Sequence, residues 1–197
     1  MLLLYDMQGK DNLAGKILIA SPNVSLNEMF HQSLVYLISH DKKGAKGLIF
    51  NHLISDISLK SIEQIFRKQA DTKIKDPSSF PLYLGGPVSP DVGFVLHTKE
   101  YQKKTSCEST NHLTVSSNIE ILYDIAKGSG PKKSLLIMGY TEWKAKQLEE
   151  ELEENYWIIM EENEDLIFNK NHEIKWEAAL NHLGIDHGLF APFLGYC

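Results

Sequence analysis

The chain has 197 residues, a net charge of −6, 43% hydrophobic residues and 23% charged residues. This is ordinary for a soluble globular protein with one good core, or at most two small ones. No apolar run approaches the roughly 18 residues that span a bilayer, the N-terminus lacks the basic region of a signal peptide, and two cysteines, Cys107 and Cys197, make no disulfide framework. We therefore expect a cytoplasmic protein with no membrane association.

The first third of the chain is rich in buried-strand patterns. Gly15–Ala20 predicts a strand, and Ser25–His31 predicts a short helical turn. Ser33–His40 is apolar throughout, which is typical of a central strand covered on both faces. A turn at Asp41–Gly44 then leads into a partner strand over Ala45–Asn51.

The middle of the chain predicts a helix, a loop and a hairpin. Ser58–Lys68 has apolar residues at helical spacing, and polar residues follow over Gln69–Ser79. Leu82–His97 predicts two apolar strands joined at Gly85-Gly86-Pro87, where the glycines permit unusual dihedral angles and the proline forces a turn. Lys99–Asn111 is polar and predicts a loop.

The last third mixes short strands with helices. We expect the following elements: a strand at Leu113–Val115, a helix capped by Ser117 and Glu120 and running through Ala126, a strand at Ser134–Tyr140, a helix at Trp143–Glu154, a hairpin of Tyr156–Met160 with Leu166–Phe168, and a final helix capped by Asn171 and ended by Gly184. In the final helix, Trp176, Ala179, Leu180 and Leu183 share one face. The elements do not alternate strictly, so we predict an α+β fold, with residues 1–197 as one domain.

One region carries a strong local charge. Glu142 to Asp165 holds ten acidic residues against Lys144 and Lys146, a balance of −8 that leaves about +2 for the remainder. This pattern indicates either a solvated helix face or a docking surface for a basic protein partner. An acidic domain is a poor candidate for binding phosphates, so we expect no direct nucleic-acid binding.

The familiar catalytic and cofactor motifs are missing from the sequence. None of the eight histidines forms a His-x-x-x-His pair, and there is no Cys-x-x-Cys, no Gly-x-Ser-x-Gly and no glycine-rich nucleotide-binding motif. We therefore expect no cofactor and no metal. Cys107 lies near Lys103 and Lys104, which could lower the pKa of its thiol, but we favour the interpretation of an ordinary surface cysteine.

Polar residues end three of the apolar strands: His40, Asn51 and His97. If these ends lie together, they line one polar cleft against Gly85 and Gly86, whose backbone could approach a ligand. The alternative is that each side chain satisfies its own turn. The sequence thus offers a candidate ligand site, and an enzyme with a small polar cleft remains the alternative function.

Seven patterns, taken in order, resemble the AlgH/YqgE family of bacterial proteins over about residues 15–186, which leaves a tail at 187–197. They are Gly15-x-x-Leu18-Ile19-Ala20-x-Pro22, Phe30-x-x-Ser33-Leu34-Val35-Tyr36, His40-x-x-x-Gly44-Ala45-x-Gly47-Leu48-Ile49-x-Asn51, Leu84-Gly85-Gly86-Pro87-Val88, Gly93-Phe94-Val95-Leu96-His97, Gly139-Tyr140-x-x-Trp143-x-x-x-Gln147-Leu148-Glu149-x-Glu151 and Trp176-x-x-Ala179-Leu180-x-x-Leu183-Gly184-Ile185-Asp186.

This resemblance implies a bent mixed sheet forming a pseudo-barrel with helices packed around it, in a cytoplasmic bacterial protein. It implies no known activity, although one branch of the family carries the label of a transcriptional regulator. The chain departs from the family at His52-Leu53, where Arg-Pro is usual; if that arginine serves an anion site in the family, this chain lacks it. Our functional hypothesis is a non-enzymatic regulatory or binding domain that acts through a protein partner or small ligand; its oligomeric state is left open.

Overall fold

The computed structural model describes residues 12–22, 28–58, 79–101, 106–110, 112–118 and 120–185. The strands are β1 (Ile17–Ala20), β2 (Leu34–Asp41), β3 (Gly44–Ile49), β4 (Leu53–Ser58), β5 (Ser79–Leu84), β6 (Val88–Thr98), β7 (Ser106–Ser109), β8 (Leu113–Ser116), β9 (Ser134–Lys144) and β10 (Trp157–Met160). The helices are α1 (Glu120–Ala126), α2 (Gln147–Glu153), α3 (Glu164–Ile167) and α4 (Lys175–His182), with a single 3₁₀ turn at Glu28–Phe30. Residues 59–68 of the predicted helix, most of the loop at Gln69–Ser79 and the tail at 187–197 lie outside the described residues, and Ser58, the first residue of that predicted helix, ends β4 instead.

The ten strands of the described residues join one mixed sheet, whose order is β10-β1-β2-β3-β9-β6-β8-β7, with β5 pairing both β4 and β9. The long strand β9 connects the two halves. Its C-terminal half pairs with β3, and its N-terminal half pairs with β5 in parallel and with β6 in antiparallel fashion. The sheet curls into a pseudo-barrel, so the predicted α+β fold is confirmed.

The apolar patterns of the strands account for the packing. In β2, Tyr36 faces one hydrophobic cluster while Val35 and Leu37 face another, so both faces of the strand are covered as predicted. In β9, Leu136 packs beside α1 in a third cluster. Trp176, Ala179 and Leu180 of α4 close the first cluster.

Several predicted elements differ from the observed ones. β9 extends through Lys144, so Trp143 lies on a strand and only Gln147–Glu153 is helical. The predicted strand at Leu166–Phe168 is instead α3, which begins because the Asn163 side chain accepts a hydrogen bond from the Leu166 amide at 3.0 Å. The final helix has Ile174, not Asn171, at its N-cap. The predicted loop at Lys99–Asn111 contains β7.

The predicted hairpin at Leu82–His97 is also wrong in one respect. β5 and β6 exist, but they lie on opposite sides of β9: Leu82 of β5 and Val95 of β6 both pair with Leu136. The Gly85-Gly86-Pro87 link therefore crosses β9 rather than forming a tight turn between paired strands. This crossing brings the link against the β9 backbone.

Candidate functional site

The crossing over β9 explains the two glycines. A Cβ on Gly85 would lie 2.3 Å from the Gly139 carbonyl oxygen, and one on Gly86, at φ +149°, would lie 2.4 Å from the Tyr140 backbone. No side chain fits at either distance. The Gly85 amide donates to the Met138 carbonyl at 2.7 Å, and its carbonyl accepts from the Ile49 amide at 3.0 Å. The polar backbone groups of Gly85 are therefore used within the sheet.

Asn51 follows β3 and joins it to the start of β2. Its Oδ1 accepts from the Leu34 amide at 2.8 Å, and its Nδ2 donates to the Gln32 carbonyl at 2.8 Å. The residue is only 8% exposed. Asn51 thus replaces the sheet hydrogen bonds that are lost where β3 ends, which is the turn-satisfying alternative.

His97 lies near the far end of β6 and is fully buried. Its Nδ1 contacts the Thr98 carbonyl at 2.9 Å, and its Nε2 contacts the Ser116 hydroxyl at 3.0 Å. Burial lowers the pKa of the imidazole and favours its neutral form. Both ring nitrogens have partners, so His97 forms a closed network.

The pairing of the strands separates the predicted site residues. Asn51 bonds to the first residue of β2, whereas His40 lies six residues further along that strand, about 20 Å away at strand spacing. His97 pairs with Ser134 on β9, whereas Gly85 bonds to Met138, about 13 Å along the same strand. The expectation that His40, Asn51 and His97 line one cleft is therefore wrong, because antiparallel pairing sends successive strand ends to opposite edges. Ligand binding at the individual residues stays a prediction.

Lys175 is the residue that sequence reasoning missed. It is the first residue of α4 and is fully buried. Its Nζ donates to the Ile167 carbonyl at 2.7 Å and to the Phe50 carbonyl at 3.3 Å. The amine also lies 5.3 Å from the ring centroids of both Phe50 and Tyr83. Among the described residues no carboxylate lies within 4 Å of it.

The surroundings of Lys175 determine its chemistry. Desolvation lowers the pKa of the amine to about 8. The two carbonyls and the two ring faces stabilise the ammonium that remains near neutral pH. Ile167 ends α3 and Phe50 immediately precedes Asn51, so the amine joins α3 and α4 to the link between β3 and β4. A substrate could not reach this amine while it remains fully buried, which makes Lys175 a structural cation rather than an exposed nucleophile.

The carboxylate of Glu151 on α2 is a second internal polar centre. Its Oε2 accepts from the indole nitrogens of Trp143 and Trp157, each at 2.7 Å, and its Oε1 accepts from Gln147 at 2.9 Å. The two indole rings meet edge to face with their centroids 5.9 Å apart. Trp143 is only 3% exposed. The pattern Trp143-x-x-x-Gln147-Leu148-Glu149-x-Glu151 therefore attaches α2 to the sheet.

The acidic residues between Glu142 and Asp165 fall into two groups. Eight of the ten have partners among the described residues: lysines pair with Glu142, Glu161, Glu164 and Asp165, and hydrogen bonds engage Glu149, Glu151, Glu154 and Glu162. Glu150 and Glu153 differ, because they are exposed on the outer face of α2 and the described residues place no cation within 4 Å of either. The unpaired negative charge is thus concentrated on one side of α2.

Among the described residues, no three His, Cys, Asp or Glu side chains come together as metal ligands would. None of the described helices has the length and apolar character needed to cross a membrane.

The chain matches the profile of the AlgH-like family over residues 17–188. It belongs to the AlgH-like family. It is 51% identical over 184 residues to a UPF0301 protein of Rickettsia africae and 50% identical over 184 residues to one of Rickettsia canadensis, covering 93% of this chain and 95% of each relative. These matches confirm the resemblance drawn from the seven patterns.

Two solved structures share the fold. The solution structure of the AlgH protein from Pseudomonas aeruginosa superposes with a TM-score of 0.74 at 32% identity, covering 95% of this chain and 97% of the other. The crystal structure of DIP2367 from Corynebacterium diphtheriae has a TM-score of 0.65 at 18% identity, covering 91% of each chain, and shows the fold alone.

Proposed function

We propose that this AlgH-like protein is a non-enzymatic, cytoplasmic regulatory or binding domain, and that it acts through a basic protein partner. The observation that carries the proposal is the division of the acidic residues. Lysines or hydrogen-bond donors of the described residues engage eight of the ten, whereas Glu150 and Glu153 have neither and keep their charge on the exposed face of α2.

The attachment of α2 supports this role. Leu148 is buried beneath the helix, and Glu151 is held by both indoles. The outer glutamates are therefore presented by a helix whose orientation is already fixed, so a partner does not have to order it on binding. Charged groups at the rim of an interface act mainly on the rate and specificity of association.

The remaining polar centres argue against catalysis. His97 and Lys175 are fully buried, and Asn51 is nearly so, with hydrogen-bond partners inside the protein for each. A general acid or nucleophile needs to reach its substrate. None of these three groups does so in the observed conformation.

Titration calorimetry with a synthetic Lys/Arg-rich helical peptide tests the proposal. We expect the variant E150Q/E153Q to bind this probe about tenfold more weakly than the wild type, because two unpaired charges are lost from the contact face. We also expect the wild-type affinity to fall between about 0.05 and 0.3 M salt, since the contacts are exposed.

The variant E164Q/D165N is the matched control. It also removes two negative charges, but both of these carboxylates already pair with Lys133, at 2.9 and 3.2 Å. We expect less than about a twofold change in affinity, because surface pairs contribute little. Equal weakening in the two variants would show that the peptide senses only net charge, and would contradict a docking face on α2.

A further inference from the structure

His40 connects three segments of the protein. It lies near the end of β2 with its side chain 10% exposed. Its Nδ1 lies 3.1 Å from the backbone nitrogen of Leu13, and its Nε2 lies 3.3 Å from Oε1 of Glu149 on α2. The imidazole therefore bridges the segment at residues 12–16 and helix α2.

The two hydrogen-bond partners of His40 determine which of its ring nitrogens carries the proton. A backbone N–H can only donate, so Nδ1 must accept from Leu13 and carry no proton. The proton of the neutral ring then belongs on Nε2, where it donates to the Glu149 carboxylate. A protonated imidazole has an N–H at both nitrogens. Its Nδ1–H would face the Leu13 N–H, so that hydrogen bond cannot survive protonation.

The Leu13 contact is one of several that hold residues 12–16 in place. Leu13 itself is 5% exposed and packs in the cluster that contains Trp143. Further along the segment, Gly15 donates to the Leu37 carbonyl at 2.7 Å, and Lys16 accepts from the Leu37 amide at 2.9 Å. Loss of the His40 bond would leave these later contacts intact, so its effect falls first on Leu13.

The other charged groups on β2, β3 and the segment at residues 12–16 are engaged elsewhere, and Glu150 and Glu153 lie on the exposed outer face of α2. Lys46 on β3 pairs with Glu142 at 3.8 Å, and Asp41 accepts from the Lys43 amide at 2.7 Å. Lys16 pairs with Glu161. Among the described residues, Glu149 is the one carboxylate within 4 Å of the imidazole.

We propose that His40 is a proton-sensitive clasp: in its neutral form it holds residues 12–16 against β2 and α2, and protonation releases the Leu13 amide. Because Glu149 remains beside Nε2, the ring stays attached to α2 when it is charged. Acidification thus breaks the hydrogen bond of the Leu13 amide while the core stays folded. This device is independent of the proposed partner.

Hydrogen exchange followed by NMR tests the clasp on the full chain. We expect the protection factor of the Leu13 amide to fall about tenfold between pH 8 and pH 5, because protonation of Nδ1 removes the acceptor of its hydrogen bond. The variant H40N places an amide oxygen close to the position of Nδ1 and does not titrate. We expect it to keep the protection of Leu13 and to lose the pH dependence.

A second variant and a reference amide separate the clasp from general instability. H40Q extends its polar group toward the Nε2 position and is expected to leave Leu13 unprotected at both pH values. The Ile137 amide on β9, in the other half of the sheet, should keep its protection throughout. A Leu13 protection factor that is constant with pH in the wild type, or one that falls in parallel with that of Ile137, would overturn the proposal.

Discussion

Lys175 makes a quantitative prediction about stability and pH. The folded protein holds its pKa at about 8, below the ordinary value of 10.5. Each pKa unit corresponds to about 1.4 kcal/mol, so charging this buried amine costs about 3 kcal/mol more in the folded than in the unfolded state. Above pH 8 the unfolded chain binds more protons at this site than the folded protein does. The free energy of unfolding contributed by Lys175 therefore rises with pH between about 8 and 10.5.

The substitution Lys175→Met isolates this effect because it removes the charge and keeps the length. Near pH 7 the variant escapes the cost of the buried charge but leaves the Phe50 and Ile167 carbonyls without a donor, at about 1–3 kcal/mol for each unsatisfied group. These effects are similar in size, so we expect K175M to lie close to the wild type at pH 7. At pH 10 the wild-type amine is neutral and still donates, so K175M should be about 2 kcal/mol less stable.

Urea denaturation at pH 7, 8, 9 and 10 measures the difference between the two proteins. Other groups cancel in this difference, including Tyr36, whose pKa burial raises in both. K170M is the control, because Lys170 is exposed and its substitution should change the free energy of unfolding by less than about 0.5 kcal/mol. If the difference in free energy of unfolding between wild type and K175M stayed constant from pH 7 to 10, Lys175 would not be a desolvated ammonium without a carboxylate partner.

Three further predictions concern packing and partners. Trp176→Ala should lower the free energy of unfolding by about 3–5 kcal/mol, since the ring is buried and its Nε1 donates to the Ala20 carbonyl at 2.9 Å; a loss below about 1 kcal/mol in chemical denaturation would contradict this packing. Gly85→Ala should destabilise the protein by at least about 2–3 kcal/mol, because the added Cβ meets the β9 backbone. In the same assay Gly128→Ala should cost only about 1–2 kcal/mol, because its added Cβ has no neighbour within 4 Å and only the φ of +75° opposes it. Footprinting at physiological salt should show no sequence-specific duplex binding at submicromolar protein. Specific DNA-binding modules have dissociation constants of about 10⁻⁸ M, so such a module would be detected at this concentration. A protected site would favour direct transcriptional regulation over a protein partner.

The local parts of the fold could be predicted from sequence because their signals are local. The apolar run of β2 and the Asp41–Gly44 turn determine a paired strand, and the register confirms it by placing Asp41 opposite Gly44. The Trp143 region misled the prediction, since its glutamates and lysines favour a helix. There, pairing of Ala45 with Trp143 overrides the helical propensity and keeps β9 extended.

The candidate site depended on contacts that sequence does not encode locally. Asn51 bonds to a residue 17 positions away, and the Lys175 amine reaches a carbonyl 125 positions away. A lysine at the start of a helix normally predicts an exposed residue, so no pattern indicated its burial. The Asn163 cap is different, because asparagine followed by Glu164 and Asp165 is a helix-start signal that was available in the sequence.

Among the acidic residues of α2, Glu151 holds the helix in place, whereas the charges of Glu150 and Glu153 are exposed. Glu151 is surrounded by three donors, so changing it would loosen α2 and alter every property that depends on the helix. Glu150 and Glu153 lie on the outer face of that helix, so their charges can change while the contacts of Glu151 stay the same. A partner that needs α2 should therefore respond to E150Q/E153Q without a change in unfolding free energy beyond about 0.5 kcal/mol. Loss of binding together with a larger loss of stability would place the effect in the fold rather than at the surface.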